Sequence, residues 1–131
     1  MIKVGDYMST TLYTTTPDEY AYKAVDEMYK NKINALLVKE NGDFVGMFTK
    51  TDWMILVLKG ECDSKSVKVS DLMTRIKSSI DRNQTIAEAS VLMEKGKIRH
   101  LPVTEKDKIV GMFSVKDMER YYLGLHKKTD F

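Results

Sequence analysis

Two hydroxyl–carboxylate pairs are the first candidates for chemistry: Thr49 with Asp52, and Ser114 with Asp117. Each closes a copy of one pattern, Gly46-Met47-Phe48-Thr49-Lys50-Thr51-Asp52 and Gly111-Met112-Phe113-Ser114-Val115-Lys116-Asp117. The spacing has two uses. A Thr or Ser followed three residues later by an acidic residue caps a helix start. A carboxylate held at a helix N-terminus can also accept two hydrogen bonds from the vicinal diol of a ribose. The motif alone favours the cap, and both uses can hold at once. Repeat symmetry puts Asp52 and Asp117 in separate sites, so they do not make an acid–base pair.

Other chemistries find little support. There is no Gly-x-x-x-x-Gly-Lys-(Ser/Thr) loop and no Gly-x-Gly-x-x-Gly. His100 and His126 lack metal-ligand spacing, and no metal site is expected. The single cysteine, Cys62, cannot form an internal disulfide and reads as an incidental thiol in a polar linker. Nine methionines are read as flexible core filling. The net charge of +2 comes from 21 basic and 19 acidic residues, which argues against a dedicated nucleic-acid binder. The N-terminus lacks the apolar stretch of a signal peptide. The longest apolar run, Trp53 to Leu58, is far too short to cross a bilayer. The expected location is cytoplasmic, without membrane association.

The elements that must position the two pairs come in duplicate. Shifting the chain of 131 residues by 65 aligns residues 4–53 with 69–118 without a gap. Val4, Asp6 and Met8 meet Val69, Asp71 and Met73. Ala24 and Met28 meet Ala89 and Met93, and Val45 to Phe48 meet Val110 to Phe113. Such agreement indicates two copies of one supersecondary unit. Each copy reads as a short helical turn, then β-α-β-β-α. Thr16-Pro17-Asp18-Glu19 predicts a helix with Thr16 as cap and Pro17 first, and Asp81 and Gln84 keep that logic in the second copy. Tyr20, Ala24 and Met28, like Ile86, Ala89 and Met93, follow helical spacing and are assigned to the core. Asn41-Gly42 between apolar runs predicts a hairpin, with a second around Glu105 to Lys108. A last helix should begin near Asp52 and near Asp117. The first, apolar on every side from Trp53 to Leu58, should be buried. Met118, Tyr121, Tyr122 and Leu125 form a more polar stripe.

These features together resemble a tandem pair of cystathionine-β-synthase-type (CBS) domains, a Bateman module. The resemblance rests on Val-x-Asp-x-Met at each start, Thr16-Pro17-Asp18, Ile98-Arg99-His100-Leu101-Pro102-Val103, and the doubled Gly-x-x-(Thr/Ser)-x-x-Asp. It implies a mixed α+β fold, with two β-α-β-β-α units packed by their sheets around a pseudo-twofold axis. Residues 1–60 form the first unit, 61–68 a linker, 69–125 the second unit and 126–131 a loose tail. It also implies two clefts for adenosine ligands such as AMP, ADP, ATP or S-adenosylmethionine.

By that resemblance, one cleft uses Met112, Ser114, Lys116 and Asp117, completed by Thr10, Thr11, Leu12, Ile33, Asn34 and Ala35. Arg99 and His100 fall where nucleotide-binding members carry basic side chains for phosphate, and Arg120 could assist. The plainer alternative is a solvated Arg99 and a buried, neutral His100. The other cleft uses Met47, Thr49, Thr51, Asp52, Arg75, Ile76, Lys77 and Ile98. There Asn34-Ala35 replaces Arg99-His100, which weakens phosphate binding. The implied function is a non-catalytic regulatory module for energy sensing, with no obligatory cofactor. Its partners are an adenosine ligand, a second copy as homodimer, and an effector protein in trans. The alternative is a dimerisation module that needs no ligand.

Overall fold

The computed structural model describes residues 1–60 and 65–124. Cys62, Leu125 and the expected tail lie outside the described residues. A 3-10 turn at Val4–Asp6 precedes β1 (Thr14–Thr15), α1 (Ala21–Asn31), β2 (Ala35–Glu40), β3 (Asp43–Thr49) and α2 (Lys50–Lys59). The second series is α3 (Val69–Leu72), β4 (Ile80–Asp81), α4 (Ile86–Gly96), β5 (His100–Glu105), β6 (Lys108–Ser114) and α5 (Val115–Gly124). The mixed α+β fold and the doubled β-α-β-β-α order are as expected. Two three-stranded sheets form, β1-β2-β3 and β4-β5-β6, each with one parallel and one antiparallel pairing.

The chain folds as two compact units, and their boundaries are offset from the repeat. A continuous unit spans Tyr13–Ile76; a split unit joins Met1–Leu12 to Lys77–Phe131. Each repeat therefore sends its opening segment to the other repeat's sheet. In the split unit Lys3 bridges Thr85 and Ser9 bridges Met112; in the continuous unit Lys68 bridges Tyr20 and Thr74 bridges Met47. The Val-x-Asp-x-Met element serves this docking. Val4 and Val69 are fully buried. The carboxylates of Asp6 and Asp71 accept from the Lys3 and Lys68 N–H groups, at 2.8 and 2.9 Å.

The glycine that begins each Gly-x-x-(Thr/Ser)-x-x-Asp motif is required by the same docking. A Cβ on Gly46 would stand 2.6 Å from the Thr74 carbonyl oxygen. On Gly111 it would stand 2.6 Å from Met8 Sδ and 2.8 Å from the Ser9 carbonyl oxygen. No side chain fits where backbone crosses strand so closely.

Two expectations are corrected. Helix α1 starts four residues late, at Ala21, with Tyr20 before it and no side-chain cap. Thr16 to Glu19 forms a turn instead, closed by Glu19 N–H to the Thr16 carbonyl, 3.2 Å. That turn is needed elsewhere: the Pro17 and Glu19 carbonyls accept from Ser70 and Val69 of the docked segment, both at 2.9 Å. Asp81 and Gln84 likewise close a turn, Asp81 N–H to Gln84 Oε1 at 3.0 Å. The real cap of α4 is Thr85, paired with Glu88 in a capping box. Tyr20 is consequently exposed, while Ala21, Ala24 and Met28 are buried.

The second correction concerns α2. Leu56 is buried and Trp53 packs against the same core. Met54, Ile55, Val57 and Leu58 are exposed, Leu58 at 80%. A helix lying on one core can bury one stripe only, whatever the composition of its other faces. In α5, Met118 and Tyr121 pack inward and Tyr122 is exposed.

Each unit has its own core. Phe48, Leu36, Val38 and Met28 centre one; Phe113, Leu101, Val103 and Ile80 centre the other. Both hairpins turn on two left-handed residues, Asn41 (φ 51) with Gly42 (φ 86), and Lys106 (φ 52) with Asp107 (φ 66). These are the angles a two-residue hairpin requires. The second turn takes them without a glycine, held by the Glu105–Lys108 pairing.

Candidate functional site

Each unit ends its hairpin in one hydroxyl–carboxylate pair at a helix start. In the split unit Asp117 Oδ2 accepts from the Ser114 N–H at 2.9 Å and from the Ser114 hydroxyl at 3.1 Å. The Asp117 N–H donates back to Ser114 Oγ at 3.3 Å. In the continuous unit Asp52 Oδ2 accepts from the Thr49 N–H at 2.8 Å and the hydroxyl at 3.1 Å. The Asp52 N–H returns to Thr49 Oγ1 at 3.3 Å. The capping use is thus realised in both copies. It leaves Oδ1 as the carboxylate oxygen turned to other partners. Here the copies differ: Asp117 Oδ1 accepts from Arg120 Nη2 at 3.3 Å, while Asp52 Oδ1 has no hydrogen bond among the described residues.

The split unit collects ten of the residues implied for the first cleft: Thr10, Thr11, Leu12, Arg99, His100, Met112, Ser114, Lys116, Asp117 and Arg120. The docked segment brings Thr10 to Leu12 beside this motif through mutual Ser9–Met112 backbone bonds of 2.8 and 2.9 Å. Thr10 and Thr11 are exposed and belong to no helix or strand. The Arg99 carbonyl accepts from the Val115 N–H at 3.0 Å, which sets Arg99 and His100 at the foot of α5. Ile33, Asn34 and Ala35 belong to the continuous unit, with Met47, Thr49, Thr51, Asp52, Arg75 and Ile76; Lys77 and Ile98 belong to the split unit. Thr74 brings Arg75 and Ile76 beside Met47 by the matching backbone pair, 2.8 and 3.0 Å. The Asn34 carbonyl accepts from the Lys50 N–H at 3.1 Å, as Arg99 does in the other copy.

Charge is unequal between the units. Arg99, Lys116 and Arg120 are exposed cations around Asp117. His100 is half-buried, and burial holds its pKa below the usual 6.5; Arg99 adds to the lowering, Asp117 opposes it, and Lys116 lowers it further. At neutral pH His100 is therefore an uncharged imidazole, able to donate and to accept.

The unfolded chain binds the His100 proton more readily than the folded one, so folding is favoured fully above about pH 6.5 and the gain is lost as pH falls through the folded pKa. The melting temperature is expected to drop as pH falls below about 6.5. His100→Ala, which copies Ala35 of the other repeat, should flatten that drop. Identical slopes in the two proteins would contradict this account of His100.

Sequence reasoning missed Tyr7 and Ser9. Ser9 pairs with the motif strand at Met112, and the Tyr7 carbonyl accepts from Arg120 at 3.0 Å. The signal was present: glycine inside an apolar strand marks the close approach of another backbone. Among the described residues no three His, Cys, Asp or Glu side chains could hold a metal ion, and no helix is long and apolar enough to cross a membrane.

Comparison with known proteins agrees with the doubled architecture. The CBS domain profile matches residues 4–59 and 69–124. The chain belongs to the CBS-domain family, as a tandem pair. The CBS domain-containing protein CBSX3, mitochondrial, of Arabidopsis thaliana is 30% identical over 118 residues, covering 86% of this chain; the chain spans 57% of that relative's length. Among solved structures, CBSX2 in complex with AMP superposes with a TM-score of 0.79 at 24% identity, covering 97% of this chain and 100% of that one. The CBS domain pair of protein MJ0100, in complex with 5′-methylthioadenosine and S-adenosyl-L-methionine, gives a TM-score of 0.84 at 22% identity, covering 95% and 98%. At these identities the likeness is one of fold.

Proposed function

We propose that this chain is a non-catalytic sensor that binds an adenosine ligand and passes its occupancy to a partner protein. The observation that carries the reading is the doubled carboxylate at a helix start, with Oδ2 engaged by its own cap and Oδ1 left out of that cap. That arrangement suits a ribose diol, which needs an ionised acceptor already held in place. The Asp117 site is the stronger one, because Arg99, Lys116 and Arg120 supply positive charge for a phosphate or carboxylate tail. His100 adds a neutral donor. The Asp52 site has Lys50 two residues away in sequence and Arg75 in the segment docked on Met47, but nothing equivalent to Arg99-His100. Two folds of this kind hold AMP or S-adenosylmethionine in their solved complexes, which supports the ligand class. Occupancy acts by favouring whichever arrangement of the protein binds the ligand better.

Thermal unfolding with AMP, ADP, ATP and S-adenosylmethionine tests the reading. A ligand at a hundred times its dissociation constant stabilises by about 2.7 kcal/mol, a rise of several degrees for a chain of this size. No rise with any of the four would sink it.

The exposed apolar face of α2, formed by Met54, Ile55, Val57 and Leu58, favours a second reading. Such a face suits a second copy of the chain, and the protein would then be a dimer with or without ligand. Sedimentation with and without nucleotide separates a ligand-dependent assembly from a constant one.

A further inference from the structure

Arg120 breaks the symmetry of the repeat: at the matching position the first copy has Ile55. Arg120 Nη2 donates both to the Tyr7 carbonyl at 3.0 Å and to Asp117 Oδ1 at 3.3 Å. Its guanidinium lies 5.8 Å from the centroid of the Tyr7 ring. That ring meets Tyr121 edge-on at 5.4 Å. In the other copy Leu72 replaces Tyr7, so neither half of this arrangement is repeated.

The acceptor sites of Asp117 can be counted. A carboxylate offers about four. Oδ2 uses two, for the Ser114 N–H and hydroxyl, and Oδ1 uses one for Arg120. A vicinal diol brings two O–H donors and finds one site open. Something must give way for full ribose capture. The Ser114 N–H is fixed by the start of α5. The Arg120 bond is the longest of the three, and its side chain is 63% exposed. Water replaces so exposed an ion pair at small cost.

We infer that Arg120 sets the ligand specificity of the Asp117 site: it competes with the ribose diol for Oδ1, and an anionic ligand tail offsets the loss by pairing with the released guanidinium. The inference rests on the adenosine reading above. A neutral nucleoside offers the guanidinium nothing in exchange for Asp117 and leaves it with the Tyr7 carbonyl, the Tyr7 ring and water. A nucleotide offers it phosphate oxygens, which arginine binds two at a time. The competition therefore works against nucleosides and for nucleotides. Asp52, with Ile55 beside it, makes no such choice.

The test is a calorimetric titration of adenosine and of AMP into three proteins, each carrying Asp52→Ala so that the Asp117 site dominates the heat. The first has Arg120 intact, the second Arg120→Ile, and the third Arg120→Lys. Ile is the residue of the other repeat at this helical position, and unfolding curves confirm that each protein is folded. Arg120→Ile is expected to bind adenosine about threefold more tightly, the scale of an exposed ion pair removed. It should bind AMP about tenfold more weakly, the scale of a lost charge-assisted contact. Arg120→Lys should keep most of the preference for AMP. Equal shifts for both ligands, or none, overturn the inference and leave the adenosine reading standing. Failure of both ligands to bind the protein with Arg120 intact overturns the two together.

Discussion

Asp117→Ala is expected to weaken binding of an adenosine ligand by about ten- to a hundredfold, and Asp52→Ala by about threefold. The first figure is the loss of hydrogen bonds to a charged group, about 1.5–3 kcal/mol, with each 1.4 kcal/mol worth a factor of ten. The difference follows from the surroundings. Asp117 shares its unit with Arg99, His100, Lys116 and Arg120, so a ligand held there by its ribose would also meet cations. Asp52 closes the copy of the motif whose matching positions hold Asn34, Ala35, Thr51 and Ile55 instead, and its site is expected to be the emptier one at moderate ligand concentration. Both substitutions also remove half of a capping box, at a cost of about 1 kcal/mol to the fold. Unfolding curves must therefore accompany the titrations. Equal loss of stability with unequal loss of affinity is the expected pattern. A larger loss of affinity for Asp52→Ala would refute the assignment of Asp117 to the stronger site.

Gly46→Ala should cost the fold about 3 kcal/mol, the upper range for overpacking, and lower the melting temperature by about ten degrees. The added Cβ would meet the Thr74 carbonyl oxygen at 2.6 Å. That oxygen is backbone and is itself bonded to the Met47 N–H at 2.8 Å. It cannot move without undoing the docking of the segment that carries Arg75 and Ile76. Gly111→Ala should cost a similar amount, since its Cβ would meet the Ser9 carbonyl oxygen at 2.8 Å as well as Met8 Sδ at 2.6 Å. Gly96 is the control: it lies in α4 with ordinary contacts of 3.6 Å and beyond. There alanine should be neutral or stabilising by up to about 1 kcal/mol. Unfolding curves for the three variants check the ranking, and an unchanged melting point for Gly46→Ala would contradict the role given to the glycine.

Much of this was legible in the residues. The gapless repeat predicted two copies of β-α-β-β-α, and the structure has them. Asn41-Gly42 marked its hairpin, and the Thr49/Asp52 and Ser114/Asp117 spacing marked two helix starts. What was not legible depends on contacts distant in sequence. Thr16-Pro17-Asp18-Glu19 carries a good local helix start, but its carbonyls hold the Val69–Ser70 segment, and tertiary hydrogen bonds override the local preference. The run from Trp53 to Leu58 states that its residues are apolar. It does not state how many faces of α2 have something to pack against. The offset between repeat and compact unit is likewise invisible to periodicity, because the shift of 65 aligns the two opening segments without showing which sheet each one joins. The pairing of Arg120 with Asp117 has helical i, i+3 spacing and could have been foreseen. Its second bond, to Tyr7, could not.

The most direct measurement is a calorimetric titration of the intact chain with AMP and S-adenosylmethionine at neutral pH. Saturable heat is expected with at least one of them, centred on one ligand per chain, and abolished or displaced to far higher concentration by Asp117→Ala. No heat with either ligand, or a binding curve that Asp117→Ala leaves unchanged, would contradict it.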